Sequence, residues 1–335
     1  MATAYSSLPR PEGAGDCCRF IGPCCLSRRA TARAYSLWLW LLICLLATLP
    51  LTVHAGTPGA QWITAAGTQG HSVWFRHMFL PSAPIATAWF QLNAPCPTRV
   101  FINGFEAGSS VPGGNTGGNT EWQADVSRYM QTDSNVVAIE AYAGANVTPQ
   151  ISAVLYGTFI NGRKFAIPTS ADWLCAPGTL STDSMGNPVI DATADMPFTA
   201  RTTYTARWMP ARKTDTLAGG AFTPIGQFGM QPTLTALNTP ALQHVSRSEA
   251  TCYFVPACYG LLRITLRNCI PGEVLHAGNL TYICSGLTDE QLFSEFLPQA
   301  TGAITVTGDH HFNTSQIQQV EMLSIEPRWH QSWQY

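Results

Sequence analysis

Hydrolysis of a sugar linkage needs two carboxylates at a defined separation across a cleft. Three groups of acidic residues have the right types: Glu121 with Asp125, Asp289 with Glu290 and Glu295, and Glu321 with Glu326. On a strand Glu121 and Asp125 share a face, although Asp125 reads more naturally as a turn or cap residue. None of these pairs stands in a context that marks an active site, so no catalytic residue is assigned. Asp309-His310-His311 offers metal-ligating side chains after Gly308. Adjacent strand residues point to opposite faces, so the expectation is an exposed polar turn rather than a metal site. His71, His77, His244, His276 and His330 are scattered singly. Neither a G-x-S-x-G nucleophile motif nor a phosphate-binding loop is present. The tract Gly113-Gly114-Asn115-Thr116-Gly117-Gly118 lacks dinucleotide-fingerprint spacing and a parallel-sheet context. It reads as a long loop at the rim of a scaffold.

That loop is the binding site expected from sequence. Sugars are held by aromatic faces and planar polar side chains. Asn115, Asn119, Glu121 and Trp122 supply these types within eight residues, and Arg99 precedes the neighbouring hairpin. Loops on a rigid scaffold carry function more often than cores do. Trp122 also has a plain reading as a core residue.

Cysteines divide in an informative way. Of 11, five (Cys17, Cys18, Cys24, Cys25, Cys44) precede or lie in the apolar run 37–51, and six remain: Cys96, Cys175, Cys252, Cys258, Cys269 and Cys284. Arginines 10, 19, 28, 29 and 33 precede that run, and Val53-His54-Ala55 follows it. The order is that of a secretory signal peptide, with cleavage expected after Ala55. The run is short for a membrane span, and Pro50 interrupts its end, so no stable span is expected after cleavage. An oxidising destination makes six cysteines compatible with three bridges, with buried free thiols as the alternative. No C-x2-C pairs mark a zinc site. Calcium is compatible with the composition, but no dense cluster of oxygen ligands supports it, and no cofactor is expected.

The chain has 335 residues, 46% hydrophobic and 11% charged. Low charge with many aromatics argues against disorder. The net charge is −2, with lysine only at 164 and 213, so no basic stripe exists to follow nucleic acid. Beyond Ala55 the balance is 13 basic against 18 acidic residues. Short β-branched and aromatic runs recur between turn signals such as Asn103-Gly104, Asn161-Gly162 and Pro271-Gly272. That pattern predicts an all-β chain of sandwiches or barrels. A helix is arguable only over 287–296, where Thr288 could cap. Residues 179–250, rich in Pro, Gly, Thr and Ala, read as a long irregular connection, which places a domain boundary nearby.

Several motifs occur in a set order: Gln61-Trp62-Ile63, Phe75-Arg76-His77-Met78-Phe79, Arg99-Val100-Phe101-Ile102-Asn103-Gly104, Asp125-Val126-Ser127 and Asn135-Val136-Val137-Ala138-Ile139. Asn161-Gly162-Arg163 and Thr169 to Asp172-Trp173 extend the series. This order resembles the galactose-binding-like jelly-roll domains that accompany secreted glycoside hydrolases. The nearest likeness is to the N-terminal β-sandwiches of bacterial α-L-rhamnosidases. The likeness covers about 62–175, with a fainter echo over 259–326. These are fold signals: Asn-Gly suits a tight type I′ hairpin, and Trp62 and Trp173 are bulky enough to plug sandwich ends. The family's catalytic acids lie in a helical barrel of several hundred residues, for which this length leaves no room, so none is carried over.

The expectation is therefore two β-sandwich, galactose-binding-like units after a signal peptide: leader 1–55, first sandwich 56–178 and second sandwich 179–335. The expected function is a secreted, non-catalytic carbohydrate-binding or accessory role, with carbohydrate as partner and a separate catalytic chain as a second one. A glycoside hydrolase in its own right and a structural surface protein are the competing readings. The aromatic tail 327–335 is either a last packed strand edge or an exposed patch for a partner chain.

Overall fold

The computed structural model describes residues 59–328, apart from 69, 111–118, 145–147, 196–197, 200–207, 216–221, 225–230 and 244. The expected leader, the glycine tract with Asn115, and the tail from Trp329 on lie outside the described residues. Among those described, the chain is strands joined by turns and three short 3-10 turns, as the all-β reading expects. No helix among them is long and apolar enough to cross a membrane.

Two sheets face each other across a first core. One runs in the order Arg212–Lys213, Ile63–Thr64, Gln150–Phe159, Ile85–Ala94, Asn119–Asp125 and Phe222–Pro224, with Lys164–Pro168 added beside Gln150–Phe159. The other runs Met209–Pro210, Leu174–Pro177, Ser72–Phe79, Asn135–Tyr142, Thr98–Ile102 and Phe105–Ser110. Val73, Phe75, Phe90, Leu92, Ile139, Ile151 and Leu155 fill the space between, with Trp173 fully buried among them. Trp62 is not part of this buried core; Trp173 alone of the two tryptophans is. The strand Asn135–Tyr142 is buried along its whole length. Its second face is covered because Phe198 and Trp208 fold over Trp74 and Ala138 on the outside of the sheet. Arg76 is buried there too, its guanidinium 5.7 Å from the Trp208 ring.

The Asn103-Gly104 turn has φ of 52° and 88°, the two left-handed residues a type I′ hairpin requires. The Asn103 side chain accepts from Val136 N–H at 2.9 Å and donates to Tyr129 and Asn135, tying hairpin to sheet. At the second Asn-Gly only Gly162 has positive φ, so that turn is of another type.

A ten-stranded sheet makes up the rest. Its spine is the 19-residue strand Glu249–Arg267. A register shift between Tyr253 and Cys258 bends it, so that its first half pairs with Gln299–Gly308 and its second with Ile317–Arg328. The sheet thereby folds over a second core that includes Phe254, Leu262, Ile264, Leu275, Tyr282 and Met322. Gly260 sits at the crossing, where a Cβ would lie 2.2 Å from the Leu323 carbonyl oxygen.

The helix expected over 287–296 is absent. Asp289–Phe293 is a strand paired with Arg263–Arg267, and burial alternates along it. Glu, Gln and Leu favour a helix weakly, and pairing with the buried spine overrides that preference. The irregular segment 179–250 is divided among all three sheets. Leu180–Thr182, Pro188–Asp191, Gln231–Asn238 and Leu242–Gln243 join the large sheet, whereas Met209–Pro210, Arg212–Lys213 and Phe222–Pro224 add edges to the first two.

Candidate functional site

A cavity of about 720 Å³ opens in the second half of the fold. The strand Asp289–Phe293 forms one wall, through Asp289, Gln291 and Phe293, with Thr265 from the paired spine and Glu295 just past the strand's end. Thr179, Ile190 and Asp195 from the connecting segment close the opposite side. Tyr282, Ser285 and Glu290 complete the polar lining.

These last three are one hydrogen-bonded unit. The buried Glu290 carboxylate accepts from Tyr282 Oη–H at 3.1 Å, Ser285 N–H at 2.9 Å, Ser285 Oγ–H at 2.8 Å and Gly286 N–H at 3.3 Å. Burial, with the Glu290 charge beside it, holds the Tyr282 phenol well above the ordinary tyrosine range, so it stays a neutral donor. Two of these donors are the backbone N–H groups of the turn at Ser285 and Gly286, so the turn itself fixes the carboxylate.

Glu295 is held from the other sandwich. Arg99, on the strand Thr98–Ile102, reaches Glu295 at 2.9 Å, Glu106 at 3.4 Å and Glu140 at 3.7 Å. The Glu140 side chain is 2% exposed, and its Oε2 has no hydrogen-bond partner. Burial and the nearby Glu295 charge raise Glu140 well above the ordinary carboxylate value, against the pull of Arg99. Burial raises Glu295 as well, again opposed by Arg99. One guanidinium thus serves three carboxyls, and buried Glu140 and half-buried Glu295 hold protons more tightly than free acids.

Of the residues expected to bind ligand, Arg99 belongs to this network, with its side chain 18% exposed. Asn115 lies outside the described residues. Asn119, Glu121 and Trp122 lie on the strand Asn119–Asp125, where Glu121 is in register with Asn93 and Trp122 with Leu92. Of the acidic groups, Asp289, Glu290 and Glu295 do gather in one cavity. Glu321 instead pairs with Arg263 at 2.6 Å. Asp309 accepts from His311 N–H and Val274 N–H, the polar turn expected there. Sequence reasoning missed Glu140, a lone acid inside an apolar run, and the partnership of Tyr282 and Ser285 with Glu290.

All six described cysteines are free thiols. Cys269 and Cys284, which are 15 positions apart, come together with Glu273 in one buried group.

The fold and cavity define an all-β sandwich protein with a polar-lined pocket in its second half. The comparisons narrow that class. The chain is similar to the α-L-rhamnosidase from Dictyoglumus thermophilum at a TM-score of 0.65 and 15% identity, over 80% of this chain and 36% of that one. The α-L-rhamnosidase from Aspergillus terreus gives 0.60 and 13%, over 81% and 36%. That of Streptomyces avermitilis, solved with L-rhamnose, gives 0.60 and 15%, over 76% and 29%. This chain spans about a third of the length of these structures. The resemblance to the β-sandwich part of α-L-rhamnosidases therefore holds as a likeness of fold. No family model and no curated protein matches the chain.

Proposed function

We propose that this protein is an exported, non-catalytic carbohydrate-binding module that serves a sugar-degrading enzyme carried on a separate chain. The observation that carries the reading is the cavity at Asp289–Glu295. Its volume falls within the roughly 300–1,000 Å³ common for small-molecule sites. Its lining is rich in acceptors, from Asp195, Asp289, Glu290 and Glu295, with the rings of Tyr282 and Phe293 beside them. Neutral polyols supply hydroxyl donors to such a wall, in which Asp289 and Glu295 are already paired with Arg267 and Arg99.

Titration calorimetry with L-rhamnose and rhamnose-containing oligosaccharides tests it. Binding should occur, and Phe293→Ala or Gln291→Ala should weaken it at least tenfold. If no glycan binds, the reading falls. If substitutions at Glu121 and Trp122 abolish binding and those at Phe293 and Gln291 do not, the site is the rim strand instead. Release of reducing sugar by the purified chain would make it a hydrolase.

A further inference from the structure

The second core brings two thiols and a carboxyl group together, at Cys269, Cys284 and Glu273. Cys269 is 5% exposed, Glu273 1% and Cys284 0%, and their donor atoms all lie within 4.8 Å of one another. The backbone builds this group before any ligand arrives. Cys284 N–H donates to the Glu273 carbonyl at 2.9 Å, and Gly272 N–H donates to the Cys284 carbonyl at 2.9 Å, so Glu273 and Cys284 close the base of one hairpin. Asn268 and Gly272, at φ of 62° and 84°, turn the preceding loop back and bring Cys269 in.

The Glu273 carboxylate is half satisfied. Its Oε2 accepts from Ile270 N–H at 2.9 Å and Gln316 Nε2 at 3.1 Å, while the buried Oε1 has no hydrogen-bond partner. A buried carboxylate oxygen without a donor is costly. Among the described residues neither Glu273 nor the nearby Glu290 forms an ion pair.

We propose that Cys269, Glu273 and Cys284 bind one divalent transition-metal ion of the zinc class. Two thiolates and a carboxylate suit zinc or cobalt and do not suit calcium, which takes oxygen donors alone. A zinc ion sits about 2.3 Å from sulfur and about 2.0–2.2 Å from carboxylate oxygen, which fits donors spaced this closely. Three protein donors leave a tetrahedral ion one further position for water. Binding exchanges the two thiol protons, released to solvent, for the ion, and gives Glu273 Oε1 its missing partner. The ion would cross-link the loop at Cys269 to the hairpin at Cys284, beside the Tyr282–Glu290 wall of the cavity. The site stands or falls independently of the carbohydrate reading.

The test uses the full chain, purified under reductant, stripped with chelator and titrated anaerobically with Co2+ and then Zn2+. One cobalt per chain should bind with sulfur-to-cobalt charge-transfer absorption, which zinc then removes. Glu273→Gln should weaken binding at least tenfold while keeping that absorption, and Cys269→Ser should abolish it. A readout that needs no variant is timed alkylation in mild denaturant with and without zinc followed by peptide mapping, where zinc should slow the labelling of Cys269 and Cys284 but not that of buried Cys96. Absence of the charge-transfer band, or its persistence in the double variant Cys269→Ser, Cys284→Ser, overturns the proposal. So does a chain isolated without reductant in which Cys269 and Cys284 are joined as a disulfide that takes up no metal after reduction.

Discussion

Replacing Arg99 by methionine keeps the apolar stem and removes the charge shared by Glu106, Glu140 and Glu295. Removing one partner of a buried pair commonly costs about 3–5 kcal/mol, because the other charge is stranded. Here protonation sets a ceiling. A buried carboxyl left without its cation takes up a proton instead of staying charged, which limits that cost, and burial already favours the neutral acid at Glu140. Glu140 is already raised in the native protein, so part of that cost is present before substitution. The expected loss for Arg99→Met is therefore at the low end of that range or a little below it, about 2–3 kcal/mol at neutral pH. The sign with pH follows from the same group. Its folded value lies above its unfolded one, so the folded state binds more protons in that window, and stability falls as pH rises through it. The penalty in Arg99→Met should shrink to under about 1 kcal/mol near pH 5, where the neutral acid forms easily. Urea unfolding at both pH values measures this. Adding Glu140→Gln to Arg99→Met should restore much of the neutral-pH loss, because no buried charge is left unpaired. A loss below about 1 kcal/mol at neutral pH, or one that does not change with pH, would refute the reasoning.

Trp173→Ala should cost about 3–5 kcal/mol by urea unfolding, since the ring is fully buried, stacks on His77 at 5.4 Å and donates to the Pro168 carbonyl. Gly260→Ala should cost about 3 kcal/mol or more, because the new Cβ meets the Leu323 carbonyl oxygen at 2.2 Å, while Gly302→Ala, whose Cβ would lie 3.6 Å from Ala257, should be nearly neutral in the same assay. Cys96, buried and with its thiol pushed up to about 12, should resist iodoacetamide in the folded protein at neutral pH and react once it is unfolded, as peptide mapping would show.

The all-β class and the hairpin at Asn103-Gly104 were legible because each rests on local signals, alternation in one case and positive φ in the other. The order of motifs over 62–175 likewise carried the likeness to rhamnosidase sandwiches. What was not legible depends on pairing across long sequence distances. Asp289–Phe293 has the residues of a weak helix and becomes a strand only because Arg263–Arg267 lies beside it. The acidic cluster at 289–295 was visible as a cluster, but its partners Tyr282, Ser285 and Arg99 were not, since Arg99 is 196 positions from Glu295. Cys269 and Cys284 follow no metal-binding spacing, and only the hairpin closed at Glu273 brings them together.

The same long-range pairing bears on whether the two sandwiches can stand alone. A fragment ending at residue 178 would lose Met209–Pro210, Arg212–Lys213 and Phe222–Pro224, leaving sheet edges open on both layers. It would also lose Phe198 and Trp208, which lie against Trp74 on the outer face, with ring centroids 5.0 Å apart for Trp74 and Phe198. A fragment starting at 179 would lose Arg99 and leave Glu295 without its cation. Open edges and an uncovered aromatic face favour self-association. Residues 56–178 expressed alone should therefore aggregate or elute as oligomers in size-exclusion chromatography, whereas a fragment extended to residue 228 should be more soluble. A monomeric, cooperatively unfolding 56–178 fragment would show that the added strands and the Phe198–Trp208 cover contribute little, and that the connecting segment is dispensable to the first sandwich.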